Sequence, residues 1–168
     1  MKNTQFTPIK PTEFDDLYAM ATLIWHQHYP SIISVEQIDY MLNLFYAPTR
    51  LHQDLEKGYQ YLWITDDKGD RVGFIAYVVD ATQPGLFLSK LYVLPQHHGG
   101  GFGQAALNHL WRIVEKNNLF DLHLFVNKEN HKAIKAYQRF GMSVAQAIVQ
   151  QIGENFVMDD YIMQKRPD

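Results

Sequence analysis

Four glycines within five positions are the residues of this chain whose type and spacing point most directly to chemistry. They follow an apolar run, Leu86–Leu94, and precede the helix-forming segment Gln104–Leu107. Glycines let backbone N–H groups face a ligand without obstruction by a Cβ atom. The N-terminus of the next helix adds unpaired donors and a positive dipole end. The order of strand, turn and helix predicts a phosphate-binding loop built on Gly99, Gly100, Gly101 and Gly103.

The spacing of these glycines excludes two common phosphate sites. A dinucleotide fingerprint reads G-x-G-x-x-G, and Gln104 stands where its last glycine would follow Gly99 and Gly101. A P-loop reads G-x-x-x-x-G-K-(S/T), and no lysine follows any of the four glycines. The pattern present is G-x-G-x-G after a strand that ends at Pro95. A flexible turn without a ligand is the alternative interpretation.

Residues 126–142, VNKENHKAIKAYQRFGM, form the second informative stretch. Asn127 or Asn130 can cap a helix here, and Gly141 is suited to end it. By periodicity alone Tyr137 is a core-facing aromatic residue, because it recurs at helical spacing with other apolar residues. The predicted buried face of this helix consists of Ala133, Ile134, Tyr137 and Phe140.

Both stretches resemble the Gcn5-related N-acetyltransferase (GNAT) superfamily. The acyl-CoA loop of that superfamily is written (Q/R)-x-x-G-x-(G/A). In this chain His98 falls at the Gln/Arg position, Gly101 at the first glycine position and Gly103 at the Gly/Ala position. Residues 126–142 of this chain resemble a second motif of the superfamily, N-x-x-A-x-x-x-Y-x-x-x-G-F. The matching residues are Asn130, Ala133, Tyr137 and Gly141, with Met142 in place of the final Phe.

The resemblance implies that the chain uses acetyl-CoA as a cosubstrate, without a metal, and that Tyr137 is the general acid. A phenol with an unperturbed pKa of about 10 can protonate a departing thiolate whose reference pKa is about 8.5. Backbone N–H groups of the strand before the loop can polarise the thioester carbonyl. The implied cofactor-binding residues are Leu91, Tyr92, Val93, His98, Gly99, Gly100, Gly101, Phe102, Gly103, Gln104 and Asn130.

The general base is not assigned by the sequence. Many relatives carry a Glu on the strand before the glycine loop, and Phe87 occupies the corresponding position here. A base is still required, since a lysine-like ammonium has a pKa of about 10.4. Each candidate is more typical of a solvated polar residue or a cap than of a base, and none is assigned as catalytic. The candidates are His26, His28, Glu36, Asp159 and Asp160.

The closing segment, residues 152–163, is predicted to be a turn followed by a strand. Adjacent carboxylates in a strand point to opposite faces, so one of Asp159 and Asp160 is expected to face a cleft, where it could attract a cationic amine. A strand at the edge of the sheet with both acids in water is the alternative. The segment IG-x-x-FVMDDYIM, together with Ser34–Ile38 and LSKLYVLP, resembles a bacterial subgroup related to spermidine/spermine N-acetyltransferases. That resemblance covers nearly the whole chain and says little about the acceptor.

Length and composition bound the class of protein. A chain of 168 residues with 46% hydrophobic content is expected to form one domain, residues 1–168, with a sizeable core. The net charge of −3 offers no basic footprint for nucleic acid. The absence of cysteine excludes thiol catalysis, and the pairs His26/His28 and His97/His98 lack further ligands at metal-site spacing. No signal peptide or membrane span is predicted, so a cytoplasmic location is expected.

The elements that must position these residues follow from local patterns. Thr12 is predicted to cap a first helix that ends before His26 and buries Phe14, Leu17, Ala21, Ile24 and Trp25. Ser34 is predicted to cap a second helix that buries Ile38, Met41, Leu42 and Phe45. The helix after the glycine loop is expected to bury Leu107, Leu110, Trp111 and Val114. The predicted strands are 4–9, 59–65, 71–80, 86–94 and 120–126, with a loop at 81–85.

These elements predict an α/β (α+β) fold of the GNAT type. Its mixed, mostly antiparallel sheet would have six to seven strands flanked by about four helices. The strands before and after the glycine-loop helix should be parallel. Three functions remain open: acetylation of a small primary amine such as a polyamine, acetylation of a protein α-amine or lysine, and non-catalytic acyl-CoA sensing. The sequence leaves a homodimer open.

Overall fold

Seven strands and five α-helices make up the computed structural model, which describes residues 3–80, 82 and 84–168. The strands are β1 Gln5–Pro8, β2 Gln60–Thr65, β3 Arg71–Val79, β4 Leu86–Val93, β5 Leu122–Asn127, β6 Ser143–Gly153 and β7 Phe156–Lys165. The helices are α1 Phe14–His28, α2 Val35–Tyr46, α3 Pro48–Glu56, α4 Phe102–Lys116 and α5 His131–Phe140. Ala81 and Gln83, in the predicted loop 81–85, lie outside the described residues.

The strands form one sheet in the order β1-β2-β3-β4-β5-β7-β6. The β4–β5 pair is parallel, as predicted, and joins Leu86–Leu88 to Leu122–Leu124. The pairs β1–β2, β2–β3, β5–β7 and β6–β7 are antiparallel. The mixed, mostly antiparallel sheet of the sequence prediction is therefore confirmed, with five α-helices rather than about four.

The chain divides into two compact units. The first comprises the residues up to Tyr77 together with Lys90–Ala106, and the second comprises Val78–Ser89 and Leu107–Asp168. The glycine loop and α1 to α3 belong to the first unit. The strands β5 to β7, most of α4 and all of α5 belong to the second.

In the first unit, the start of α2 and most of the buried faces of α1 and α2 agree with the prediction. The five predicted apolar residues of α1 are all buried. Ser34 caps α2, since its hydroxyl accepts a hydrogen bond from Gln37 N at 3.1 Å. Ile38, Met41 and Leu42 are buried on α2 as expected, whereas Tyr46 is fully buried in place of Phe45.

The start and end of α1 differ from the prediction. Thr12 is not an N-cap, because a 3₁₀ turn over Pro11–Glu13 already precedes the helix. The Glu13 carboxylate caps that turn by accepting a hydrogen bond from Lys10 N at 2.8 Å. The helix runs on to His28, so His26 and His28 lie on its last turn.

Two elements, α3 and β6, have no strong signal in the sequence. Helix α3 buries Leu51 and Asp54, and a face with one apolar and one charged residue has little hydrophobic periodicity. Strand β6 is an edge strand that is mostly exposed. Without a buried face, its residues show no alternation of apolar and polar side chains.

In the second unit, one face of the sheet packs on helices. Leu107, Leu110 and Val114 of α4 are buried as predicted. The fourth predicted residue, Trp111, is half-buried and lies beneath Lys165, whose Nζ is 4.3 Å from the ring centroid. The same Nζ lies 4.5 Å from the ring centroid of Phe140 on α5. The β7 face that carries Lys165 therefore faces α4 and α5.

Candidate active site

The glycine loop joins β4 to α4 through backbone conformations that require glycine. Gly99 has φ +78° and Gly101 has φ +84°, values that L-residues with a Cβ rarely adopt. The first bond of α4 runs from Ala105 N to Gly101 O at 3.0 Å. The backbone N–H groups at the start of an α-helix point outward from its N-terminus. The loop therefore presents the start of a fifteen-residue helix, Phe102–Lys116, as a potential anion-binding site.

Gly103 differs from these glycines because the fold does not require it. Its backbone is not in the left-handed region, and a Cβ at this position would have no neighbour within 4 Å. Alanine would also be a better helix former than glycine here. Open space beside the first turn of the helix is what a ligand's close approach needs. The loop thus fits the phosphate groups of a nucleotide-like cofactor.

His98 holds the loop against the end of β4. Its Nε2 lies 2.8 Å from the backbone oxygen of Val93, so Nε2 carries the proton and donates to that carbonyl. His98 N also donates to Pro95 O at 3.1 Å. In the structure the His98 side chain therefore shapes the turn between the strand and the glycines.

The strand segment Leu91–Val93 is half-buried, and an aromatic group anchors its central side chain. The Tyr92 ring lies 5.6 Å from Phe74 and 5.8 Å from Trp25, measured between ring centroids. Its hydroxyl is 3.1 Å from the hydroxyl of Tyr29. Packing at these centroid distances is favourable for aromatic pairs. It fixes the Tyr92 side chain and so the strand that carries it.

A buried polar chain lies behind the same strand, and sequence reasoning missed it. Lys90 Nζ donates to the Tyr61 hydroxyl at 3.0 Å, and that hydroxyl donates to Asp54 Oδ2 at 2.6 Å. Arg50 Nε binds the other oxygen of Asp54 at 3.0 Å. Lys90 is 8% exposed and Asp54 is 2% exposed. The only sequence signal was a lysine within the apolar run of β4.

Burial sets the charge state of this chain. It lowers the pKa of Lys90 to about 8, although the Asp54 carboxylate opposes this and the Arg50 cation adds to it. Burial and the bond to Asp54 raise the pKa of Tyr61. Lys90 is therefore close to its titration point at physiological pH, directly before Leu91.

Stability is expected to rise from pH 8 to pH 10 because of Lys90. Its folded pKa lies below the unfolded value, so the unfolded chain binds more protons in this range. Lys90 contributes about 2 kcal/mol over these two pH units, and the raised pKa of Tyr61 offsets part of this gain near pH 10, where an unfolded tyrosine loses its proton. Urea unfolding at both pH values is expected to show this rise in the wild type and in the exposed-lysine control Lys57→Met. The rise should be absent in Lys90→Met, and an unchanged rise in that variant would contradict the assignment.

The second unit holds the two remaining predicted site residues on one helix. Asn130 is the N-cap of α5 and is 7% exposed. Its carbonyl oxygen accepts from Ile134 N at 3.0 Å, and its N donates to Asn127 O at 2.9 Å. Tyr137 is half-buried on the same helix, which ends at Gly141 with φ +102°. Seven residues of helix place Asn130 and Tyr137 about 10 Å apart along its axis.

Four of the candidate bases have evident structural partners or are exposed. His26 Nε2 lies 2.9 Å from Asp39 Oδ1, and the His28 ring packs at 4.9 Å from the Tyr29 ring. Glu36 is exposed in the first turn of α2. Asp159 is exposed and forms an ion pair with Lys128.

Asp160, the fifth candidate, is 4% exposed. It lies on β7 directly after the exposed Asp159. The prediction that the two adjacent carboxylates face opposite sides of the strand is therefore confirmed. The residues opposite Asp160 on the neighbouring strands are uncharged: they are Asn127 of β5 and Ile148 of β6.

Phe87 lies beside a histidine that the sequence reasoning did not single out. Its ring stacks on His123 at 5.4 Å between centroids. His123 Nδ1 is 2.8 Å from Asp121 Oδ1, and the other Asp121 oxygen accepts from Gln164 Nε2 at 2.7 Å. Phe87 of β4 and His123 of β5 are neighbours across the parallel strand pair. Sequence periodicity cannot reveal such a contact, because it joins two segments that are distant in the chain.

The described residues contain neither a cluster of metal ligands nor a membrane-spanning helix. Residues 3–80, 82 and 84–168 contain no group of three or more His, Cys, Asp or Glu side chains that could hold a metal ion. Within the same part of the chain, no helix is long and apolar enough to cross a membrane.

Known proteins share this fold and parts of this sequence. Over 143 residues the chain is 24% identical to a protein of Mycobacterium tuberculosis named "Probable N-acetyltransferase", covering 82% of this chain and 78% of that protein. The PaiA N-acetyltransferase of Thermoplasma acidophilum, solved with coenzyme A, has a TM-score of 0.80 at 19% identity, covering 98% and 99% of the two chains. A spermidine N-acetyltransferase of Vibrio cholerae, solved with CoA and spermine, has a TM-score of 0.69 at 16% identity, covering 97% and 95%.

The family comparison covers the site described above. The profile of the acetyltransferase (GNAT) family matches residues 17–142, a span that includes the glycine loop, Asn130 and Tyr137. This is well over half of the chain. The chain therefore belongs to the acetyltransferase (GNAT) family and is an acetyl-CoA-dependent N-acetyltransferase.

Proposed function

We propose that this enzyme transfers the acetyl group of acetyl-CoA directly to a primary amine of a small molecule such as a polyamine. The observation that carries the proposal is the fold shared with a spermidine N-acetyltransferase solved with CoA and spermine. Glu36 and Asp39, both exposed on α2, support it, because carboxylates attract a polycation. The protein is proposed to act as a single domain in the cytoplasm, with a homodimer as a possible assembly.

In this proposal the glycine loop and the strand before it hold acetyl-CoA. Backbone N–H groups of residues 98–104 would bind its phosphates, since they lie at a helix N-terminus. Those of Leu91–Val93 would hold the thioester and polarise its carbonyl, and Asn130 would contact the cofactor. Anchoring of Tyr92 by its aromatic neighbours keeps that strand in position.

Tyr137 is proposed to protonate the leaving thiolate. An ordinary phenol remains protonated at neutral pH, since its reference pKa is about 10. It can therefore donate to a thiolate of reference pKa about 8.5. The amine attacks the thioester carbonyl carbon, the carbon–sulfur bond breaks, and coenzyme A leaves as the thiol.

Thiol release from acetyl-CoA tests the proposal against a panel of amines: polyamines, amino acids, aminoglycosides and short peptides. Turnover with polyamines above the other classes is the expected result. Turnover confined to peptides would instead assign the enzyme to protein acetylation. Calorimetric binding of acetyl-CoA without turnover of any amine or peptide would indicate an acyl-CoA sensor.

Two glycine variants test the loop as the cofactor site. Gly101→Ala is expected to lose about 1–2 kcal/mol of stability, because φ +84° is unfavourable for an L-residue. It is also expected to bind acetyl-CoA more weakly, since the loop must change shape. Gly103→Ala should keep its stability, or gain up to about 1 kcal/mol. Because the family pattern admits alanine there, its acetyl-CoA affinity should fall less than that of Gly101→Ala.

Urea unfolding and isothermal calorimetry measure both effects. Equal loss of acetyl-CoA affinity in the two variants would contradict the role of the left-handed conformation. Unchanged affinity in Gly101→Ala would contradict the loop as the binding site.

A further inference from the structure

The acceptor amine needs a group that removes a proton from it, and this inference rests on the function proposed above. A primary ammonium with a pKa of about 10.4 has no free lone pair at neutral pH. The strand position at which many family members carry a carboxylate holds Phe87. The proton acceptor must therefore come from elsewhere in the chain.

Asp160 is a buried carboxylate on β7, an inner strand of the sheet. It is 4% exposed, and the residues opposite it, Asn127 and Ile148, carry no charge. Burying a carboxylate among uncharged residues is costly. Such a group is rarely kept for stability, and its position indicates a functional use.

Within the second unit, Asp160 of β7 lies beside the carboxyl end of the neighbouring strand β5. It lies opposite Asn127, the last residue of that strand, and Asn130 follows three residues later at the start of α5. Alternation along β7 puts Asp160 on the face opposite to Lys165, which packs on α4 and α5. Asp160 thus faces away from the helices of its own unit, at the strand end nearest to Asn130.

We propose that Asp160 is the catalytic base that deprotonates the acceptor amine. Its carboxylate takes one proton from the ammonium nitrogen and later releases it to water. The freed lone pair forms the bond to the thioester carbonyl carbon, and the carbon–sulfur bond breaks. The thiolate receives the Tyr137 proton, and the second proton lost by the nitrogen restores the Tyr137 hydroxyl. The products are the acetylated amine, coenzyme A as the thiol, and one proton.

The electrostatic surroundings of Asp160 suit this role. Burial, and then the negative charge of Asp159, raise its pKa to about 6, and the Lys128 cation opposes them. A carboxyl group with this pKa is ionised at neutral pH and is a stronger base than an ordinary Asp. A catalytic pKa near the operating pH favours general base catalysis.

Other titratable groups of the second unit fit the role less well. Asp159 is exposed and paired with Lys128. His123 is held by Asp121, but it lies four residues before Asn127, about 13 Å along the strand. At His123 the strands β4 and β5 are paired, which leaves no gap between them for a substrate.

The test compares Asp160→Asn with Asp159→Asn, a matched loss of one carboxylate at the adjacent position. Acetyl transfer to spermine, or to the fastest amine of the panel if spermine is not turned over, is measured from pH 5 to pH 9. In the wild type, kcat/KM is expected to fall below about pH 6 as the base is protonated. Asp159→Asn is expected to keep this acidic limb but to shift it to lower pH, because the negative charge of Asp159 no longer raises the pKa of Asp160. In Asp160→Asn, kcat is expected to fall about 100-fold and that acidic limb to disappear.

Two further measurements separate catalysis from structure. Calorimetry should show unchanged acetyl-CoA affinity in Asp160→Asn. Urea unfolding at pH 8 should show no loss of stability. The folded pKa of Asp160 lies above the unfolded value, so the ionised carboxylate costs stability above pH 6 and the amide avoids that cost.

The outcomes distinguish this inference from the proposed function. An active wild type with an unchanged rate and acidic limb in Asp160→Asn would overturn the role of Asp160 and leave the proposed function intact. Equal loss of activity in Asp160→Asn and Asp159→Asn would also overturn the role of Asp160, because the loss would then follow from removal of a negative charge at either position. A wild type that acetylates no amine would overturn both.

Discussion

Tyr137→Phe is expected to lower kcat for acetyl transfer by about 100-fold or more, within the usual range for loss of a general acid. The change removes one oxygen atom from a half-buried side chain on α5 and leaves the aromatic ring in place. The ring's packing is kept, so acetyl-CoA affinity and stability are expected to change little. A rate effect without a binding effect is what separates an acid from a packing residue.

The measurement is steady-state thiol release with calorimetric acetyl-CoA binding in parallel. Tyr77→Phe is the matched control, because Tyr77 is also half-buried and lies on β3. Its kcat should equal that of the wild type. If kcat of Tyr137→Phe falls less than about tenfold, Tyr137 is a packing residue and another group protonates the thiolate.

Gly73→Ala is expected to destabilise the protein by about 3 kcal/mol or more, the upper end for overpacking. A Cβ at Gly73 would lie 2.2 Å from Tyr92 O and 3.0 Å from Val93 Cα. These are backbone atoms, so no side-chain rotation can relieve the contact. The added methyl group must push β4 away from β3, and with it the strand segment proposed to hold the thioester.

Urea unfolding measures this effect, and Gly103→Ala is the control, since the same added methyl group there meets no atom within 4 Å. Residual folded Gly73→Ala protein is expected to have weaker acetyl-CoA binding than the wild type. A loss of stability below about 1 kcal/mol would show that the two strands can separate at low cost.

Local signals in the sequence were sufficient for much of the fold. The Ser34 cap and the buried face of α1 were predicted correctly, because both depend on residues within one or two turns of helix. The parallel arrangement of β4 and β5 followed from chain order alone, since a strand, a helix and a strand in succession form a right-handed crossover. The glycine spacing likewise indicated a turn between a strand and a helix, and the structure adds that Gly99 and Gly101 have left-handed backbone.

Elements without a local signal were missed. Helix α3 buries a charged residue, Asp54, whose partners are Arg50 one turn away and Tyr61 on the next strand. Its helical face therefore does not appear as an apolar stripe. The edge strand β6 has no buried face to produce alternation. Thr12 was predicted to be an N-cap because threonine favours that position, whereas it lies inside the 3₁₀ turn Pro11–Glu13 that precedes the helix.

Residue types at fixed short spacing were enough to predict the class of the protein, the glycine loop and the identity of the residues proposed to bind acetyl-CoA. Three further properties were found from the packing of the folded chain: Lys90 reaches Asp54 through Tyr61, Gly73 has no room for a side chain, and Asp160 rather than Asp159 is buried. Each of these depends on contact between segments distant in the chain. Burial and close approach are set by the packing of whole elements, which no local pattern of residues records.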